Sequence, residues 1–175
     1  MSKTRIPQII AMFLALAIVV AFFLPYINAT DEYAQYLDSR GSEKVYASAD
    51  MTVGEMKQMS LFDYAKIYFQ AGKEIFRNES AGLFYAILIG AVGAFALLAF
   101  LCAWGKKPIL LFITSALSGA AFYATNWDFM DRRIMPDSDR VWGIAHAMIL
   151  PIAIALLVCA IWMLIAKHSE KKANT

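Results

Sequence analysis

The chain has 175 residues, 60% of them hydrophobic, with a formal net charge of +2 and a mean hydropathy of +0.54. Those values describe one small domain whose main solvent is lipid, and they leave no basic excess for a nucleic-acid partner. A disulfide-held exterior is excluded too, because both cysteines, Cys102 and Cys159, fall inside apolar runs.

Four stretches carry no charge: Ile6–Thr30 (25 residues), Ser80–Gly105 (26), Pro108–Trp127 (20) and Val141–Ala166 (26). A membrane-crossing helix needs roughly 20 mostly apolar residues, so the pattern predicts an all-α, four-helix transmembrane bundle with a partly helical extracytoplasmic cap. The expected spans are 6–27, 81–104, 108–126 and 141–166 of a single domain. The first helix is expected to run from Ile6 past Pro25 and to stay uncleaved, since its apolar run exceeds the roughly 7–15 residues of a signal-peptide core. Lys3 and Arg5 precede the first span, Lys106 and Lys107 separate the second and third, and Lys167, Lys171 and Lys172 follow the fourth. Residues 31–79 hold nine acidic against six basic side chains, and 128–140 hold four against three. Basic flanks stay cytoplasmic, which predicts a plasma-membrane protein with both termini inside and residues 31–79 and 128–140 outside. Trp104 and Trp162 fall at the expected inner face, Trp127 and Trp142 at the outer, the depth that indoles prefer.

Within the cap, Asp31–Arg40 carries Tyr33, Tyr36 and Leu37 at helical spacing with Gly41 as a stop, and Lys44-Val45-Tyr46 fits a short extended piece. Thr52 with Glu55, and Ser60 with Asp63, have capping-box spacing. From Ser60 to Arg77 the periodicity predicts an amphipathic helix whose apolar face is Leu61, Phe62, Ala65, Tyr68, Phe69, Gly72, Ile75 and Phe76. That face is expected to lid the outer end of the bundle. Two N-x-S/T sequons, at Asn28 and Asn78, lie beside membrane boundaries, where capping better accounts for Ser80.

Small residues recur every four positions in the second span, at Gly82, Ala86, Gly90 and Ala94, and again at Ser115 and Gly119 in the third. Such stripes let helices approach closely. The expected use is contact between these two hairpin-linked helices, with a homodimer or a partner's helix as the sharper alternative. Ionisable groups are almost absent from the spans; only His146 lies inside one. That disfavours an ion pump, proton-coupled transporter or voltage sensor. No glycine-rich phosphate loop occurs, and nothing implies a cofactor. The densest polar group is the second outer connection with its helix ends: Trp127, Asp128, Asp131, Arg132, Arg133, Pro136, Asp137, Asp139, Arg140, Trp142 and His146. Asp128, Asp131 and His146 are the residue types for metal ligation or acid/base work, but a single histidine without a second strong ligand falls short of a metal site.

Leu24-Pro25-Tyr26, Met59-Ser60-Leu61-Phe62, Trp127-Asp128-Phe129 and Trp142-Gly143-Ile144 together resemble a group of small bacterial four-helix membrane proteins. The resemblance implies the fold and a bacterial plasma-membrane setting; it implies no activity and no site. The expected function is a non-enzymatic accessory or scaffold subunit, with the bilayer and another membrane protein or a second copy as partners. It would act through the cap or the small-residue helix face. The alternative is a binder or carrier of a small or lipidic ligand in the outer half of the bundle, around Trp127, Trp142 and His146.

Overall fold

The computed structural model describes residues 4–135 and 138–173; Lys3, Pro136 and Asp137 lie outside them. Six α-helices and three short strands follow in the order α1 (Arg5–Ala21), β1 (Pro25–Ala29), α2 (Asp31–Ser39), a 3-10 turn (Val53–Lys57), β2 (Gln58–Ser60), α3 (Leu61–Phe76), α4 (Glu79–Trp104), α5 (Pro108–Asp131), β3 (Arg140–Trp142) and α6 (Ile144–Ala173). Three helices, α4, α5 and α6, are long and apolar enough to cross a membrane, while α1 is a shorter apolar helix.

The bundle interior mixes fully buried large side chains, among them Ile18, Ile89, Leu111 and Leu156, with many small ones. Between the helices lie small side chains: Ala11 and Ala15 of α1, Ala96, Ala99 and Ala103 of α4, and Ala145, Ala153 and Ala160 of α6 are all buried. The outward faces carry the large apolar ones, with Phe13 at 70%, Ile87 at 62% and Ile165 at 62% exposure. Lipid-facing bundles are built this way, because small residues allow close van der Waals contact and large apolar ones cost nothing against acyl chains. Helix α4 packs against α5, α5 against α6, α6 against α1 and α1 against α4, which closes a four-cornered ring.

One corner is shared by two elements. Helix α1 covers only the half of α4 toward Trp104, with the Phe22 ring against Gly93 and Gln8 Nε2 donating to the Trp104 carbonyl at 3.2 Å. Helix α3 covers the other half, where Gly72 and Gly82 bring two backbones together: a Cβ built on Gly82 falls 2.3 Å from the Gly72 Cα. The Phe62 amide donates to the Phe22 carbonyl at 3.2 Å, joining the two stacked helices end to end.

The first helix therefore ends earlier than the apolar run predicts. Its last turn tightens through Phe23 N–H to Val20 and Leu24 N–H to Ala21 bonds, and Pro25 disfavours helical geometry at Leu24. Proline is at home as the first residue of a strand, and β1 is the central strand of a β2–β1–β3 antiparallel sheet. Run-length reading missed the sheet because Tyr26 and Ile27 are as buried as any helical core residue. Elsewhere in the cap, Lys44 makes a single bridge with Thr52, both capping boxes form, and Thr30 caps α2. Asn78, not Ser80, caps α4 by accepting from the Ser80 amide.

Helices α4 and α5 pack together as expected, but the small-residue stripe is divided among several neighbours. Each four-residue step on a helix advances the stripe by about 40°, so it winds off any one interface. Gly82 meets α3, Ala86 is buried, a Cβ on Gly90 meets nothing within 4 Å, and Ala94 is exposed. Gly119 faces Ala153 of α6. At the α4–α5 contact the Ser118 Oγ donates to the Val92 carbonyl at 2.9 Å, and Ser115, one turn away in the expected stripe, is fully buried.

Candidate functional site

The apolar stripe of α3 is rotated from the one its sequence suggests. Leu61, Tyr64, Ile67, Tyr68, Ala71 and Gly72 are buried, whereas Phe62 and Phe69 are 44% and 70% exposed. Phe62 instead sits with Phe22 and Phe23 in an aromatic group at the α1–α3 junction. The rotation follows from the backbone contact at Gly72: Gly82 has no side chain to keep α4 away, so the face centred on Tyr68 and Gly72 turns inward. Ile75 and Phe76, from the expected face, do pack against the core.

Arg132, which caps the C-terminal end of α5, points into this face. Its guanidinium carbon lies 4.6 Å from the Tyr85 ring centre, 5.1 Å from Phe76, 5.3 Å from Tyr68 and 5.8 Å from Phe129. It forms a two-pronged ion pair with Asp128, one turn back on the same helix. Burial alone would lower the Arg132 pKa, and its interactions with Asp128 and Tyr68 together more than offset that. Four rings and one carboxylate thus hold a single cation, and cation–π contacts strengthen where water is excluded. On β3, Arg140 donates to the Tyr64 hydroxyl at 3.2 Å and lies over the Tyr33 ring.

Between these two arginines opens a cleft of about 390 Å³. Its walls are α3, the strap of residues 45–57 and the segment after α5, with Met59, Ile67, Ile75 and Ile134 supplying apolar surface. The polar side chains that line it, among the described residues, are Tyr46, Tyr64, Tyr68, Arg132 and Arg140. The Tyr64 hydroxyl accepts from Arg140 and the Tyr68 hydroxyl accepts from Arg132 at 3.3 Å. Among the described residues neither hydroxyl donates in return, so each keeps a proton to offer. Burial pushes the Tyr64 phenol up to about 12 against the opposing pull of Arg140, and it raises Tyr68 similarly against Arg132. Both phenols stay protonated at any physiological pH. The cleft is therefore a set of donors in an apolar frame.

No protein family, curated protein or solved structure matches the chain. The site must be read from its own chemistry.

The strap is fastened to α3 by polar contacts that sequence spacing does not announce. The Glu74 carboxylate accepts from the Ala47 and Ser48 amides at 3.2 and 3.0 Å and from the Ser48 hydroxyl, while Gln70 accepts from the Asp50 amide at 3.0 Å. The Ser48 hydroxyl, then the two amides, hold Glu74 below its ordinary value of 4.5. A carboxylate with a depressed folded-state pKa contributes its anchoring fully above the unfolded value and loses it as pH falls through the folded one. Protection of the Ala47 and Ser48 amides from hydrogen exchange, corrected for intrinsic rate, is thus expected to hold above pH 4.5 and to drop below it. In Glu74→Ala that protection is expected to be low and flat with pH; a persisting acid step would assign the anchor elsewhere.

The other expected site residues do not converge. Trp127 is 62% exposed, Asp131 and Arg133 are exposed, and Asp128 is committed to Arg132. The His146 ring stacks on Trp142 at 3.9 Å and lies near Tyr26 and Phe122. Among the described residues no group of three His, Cys, Asp or Glu side chains is placed to hold a metal ion.

Proposed function

We propose that this is a four-span bacterial plasma-membrane protein whose extracytoplasmic cap binds a small anionic amphiphile in the Arg132–Arg140 cleft. The observation that carries the reading is the lining itself: two guanidiniums and two protonated phenols beside an apolar wall. Its volume falls in the usual range for small-molecule sites, roughly 300–1,000 Å³. A carboxylate or phosphate on a short alkyl chain satisfies both the donors and the wall. Supporting the topology, Arg5, Lys106, Lys107 and Lys167 all fall at the end of the bundle away from the cap. Trp127 and Pro108 bound about 29 Å of α5 at 1.5 Å per residue, close to the thickness of a hydrocarbon core. Phe22, Phe23 and Leu24 extend α1 toward the same depth.

The test is thermal unfolding of the full-length protein in phosphatidylcholine nanodiscs with octyl phosphate, octanol or octylammonium. Octyl phosphate is expected to raise the melting temperature, and octanol and octylammonium to do little. Arg140→Gln is expected to weaken octyl phosphate binding about tenfold, the value of a charge-assisted hydrogen bond. Equal shifts from all three compounds, or an unaffected Arg140→Gln protein, would remove the proposal.

A second reading, an accessory subunit docked through its helices, is favoured by the open space at Gly90 amid the large outward side chains of α4. On that reading Gly90→Leu fills the notch and abolishes cysteine crosslinking to a partner helix or a second copy. Unchanged crosslinking would leave the notch without a role.

A further inference from the structure

At the end of the bundle opposite the cap, two adjoining cavities of about 540 and 420 Å³ share Lys106, Pro108 and Lys167. Lys107 and His168 complete the polar lining of the larger one, whose floor includes Ile109, Leu110 and Leu164; Glu170 borders the smaller. None of Lys106, Lys107 and Lys167 is in an ion pair among the described residues. Their convergence is built by the fold. Helix α4 ends in a Schellman turn, with Lys106 N–H bonded to Ala103 and Lys107 N–H to Cys102. Lys106, and not the adjacent Gly105, takes the left-handed position at φ 52°. Helix α5 starts immediately afterward with no side-chain cap at its N-terminus, which adds the positive end of its dipole to the same place. The depth is that of a membrane boundary, because Trp104 and Trp162 stand exposed beside it.

From this arrangement we infer that the basic end holds one anionic phospholipid. Its phosphate lies among Lys106, Lys107 and Lys167 at the start of α5, and its acyl chains run over Ile109, Leu110 and Leu164. The apolar floor selects a lipid over a free anion. Ile109 and Leu110 are exposed on the same outer surface that the bilayer covers, so headgroup and tail are met by one continuous patch. Basic pockets between helices at a membrane face are suited to this chemistry, and each lysine near the surface strengthens binding about fivefold.

Native mass spectrometry of the full-length protein in a neutral maltoside detergent tests this, with dioleoyl phosphatidylglycerol titrated against dioleoyl phosphatidylcholine. Phosphatidylglycerol is expected to be retained as a single adduct at least tenfold more tightly. The triple variant Lys106→Gln, Lys107→Gln, Lys167→Gln is expected to weaken it about a hundredfold without affecting phosphatidylcholine. Arginine at the same three positions is expected to keep the adduct, which shows that the site tolerates substitution. Lys44→Gln, Lys73→Gln and Arg77→Gln together remove the same charge at the cap end and are expected to change nothing. Arg140→Gln is expected to leave the adduct intact as well, separating this site from the cap cleft. Equal retention of the two lipids, or equal loss in the cap-end variant, would overturn the inference. So would inorganic phosphate competing with the lipid at equal concentration.

Discussion

Gly143→Ala is expected to destabilise the protein by about 3 kcal/mol, the upper end of what overpacking costs. A Cβ at that position falls 2.1 Å from the Pro25 carbonyl oxygen and 2.6 Å from its carbon, and both are backbone atoms that no rotamer change can move. The Gly143 amide also donates to the Tyr26 carbonyl at 2.8 Å, so relieving the clash means pulling the start of α6 off β1. Buried Tyr26 would lose its place between Phe129 and Trp142. The fitting control is Gly119→Ala, whose new methyl lies at an ordinary 3.4 Å from the Ala153 Cβ. That variant is expected to be neutral or slightly stabilising, since alanine is the better helix former. Thermal unfolding followed by tryptophan fluorescence reads both. Equal melting temperatures for the two variants would mean that the β1–α6 junction is looser than its geometry.

The second large effect belongs to the Asp128–Arg132 pair. Asp128→Ala leaves the Arg132 cation among four rings without its counter-charge, and Arg132→Ala leaves a carboxylate that is only 9% exposed without a donor. Either change is expected to cost about 3 kcal/mol, because an uncompensated charge in a desolvated place is far worse than an absent pair. The double variant Asp128→Leu, Arg132→Met is expected to recover most of that loss while abolishing octyl phosphate binding in the cleft. A double variant no better than the singles would show that the rings need the cation itself. Single variants within 0.5 kcal/mol of wild type, the ordinary range for surface changes, would mean that water reaches the pair freely.

How much of this was legible in the chain depends on which signal each feature leaves. Charge-free length announces α4, α5 and α6, and the caps at Thr52 and Ser60 are readable because their partners lie three residues away. The sheet leaves no such mark. Its strands are three to five residues long, and β1 is hidden inside an apolar run that continues from α1. The proline at its head is a local sign of the boundary, where the apolar run alone carries the helix past it. Apolar spacing placed α3 correctly but misjudged its orientation, because periodicity is blind to the Gly72–Gly82 contact that turns the helix. The cleft was the least visible of all. Its lining comes from residues 45 to 140, and no short motif joins Tyr64 and Tyr68 to Arg132 and Arg140. Arg132 and the amphipathic face each stand out in the sequence, but pairing them requires the placement of α3 along the cap-end half of α4.

Residues 22–24 are all that separate α1 from β1, Gly143 alone separates β3 from α6, and β2 passes directly into α3. Three helices are thereby stitched to one another at the same end, through strands that hydrogen-bond side by side. At the far end Gln8 ties α1 to α4 through a side-chain bond to the Trp104 carbonyl. Helices accommodate a thinner or thicker bilayer by tilting, and a tilt of α1 against α6 would have to distort the β1–β3 ladder. Backbone hydrogen bonds thus hold the cap end together, where the basic end relies on packing between helices.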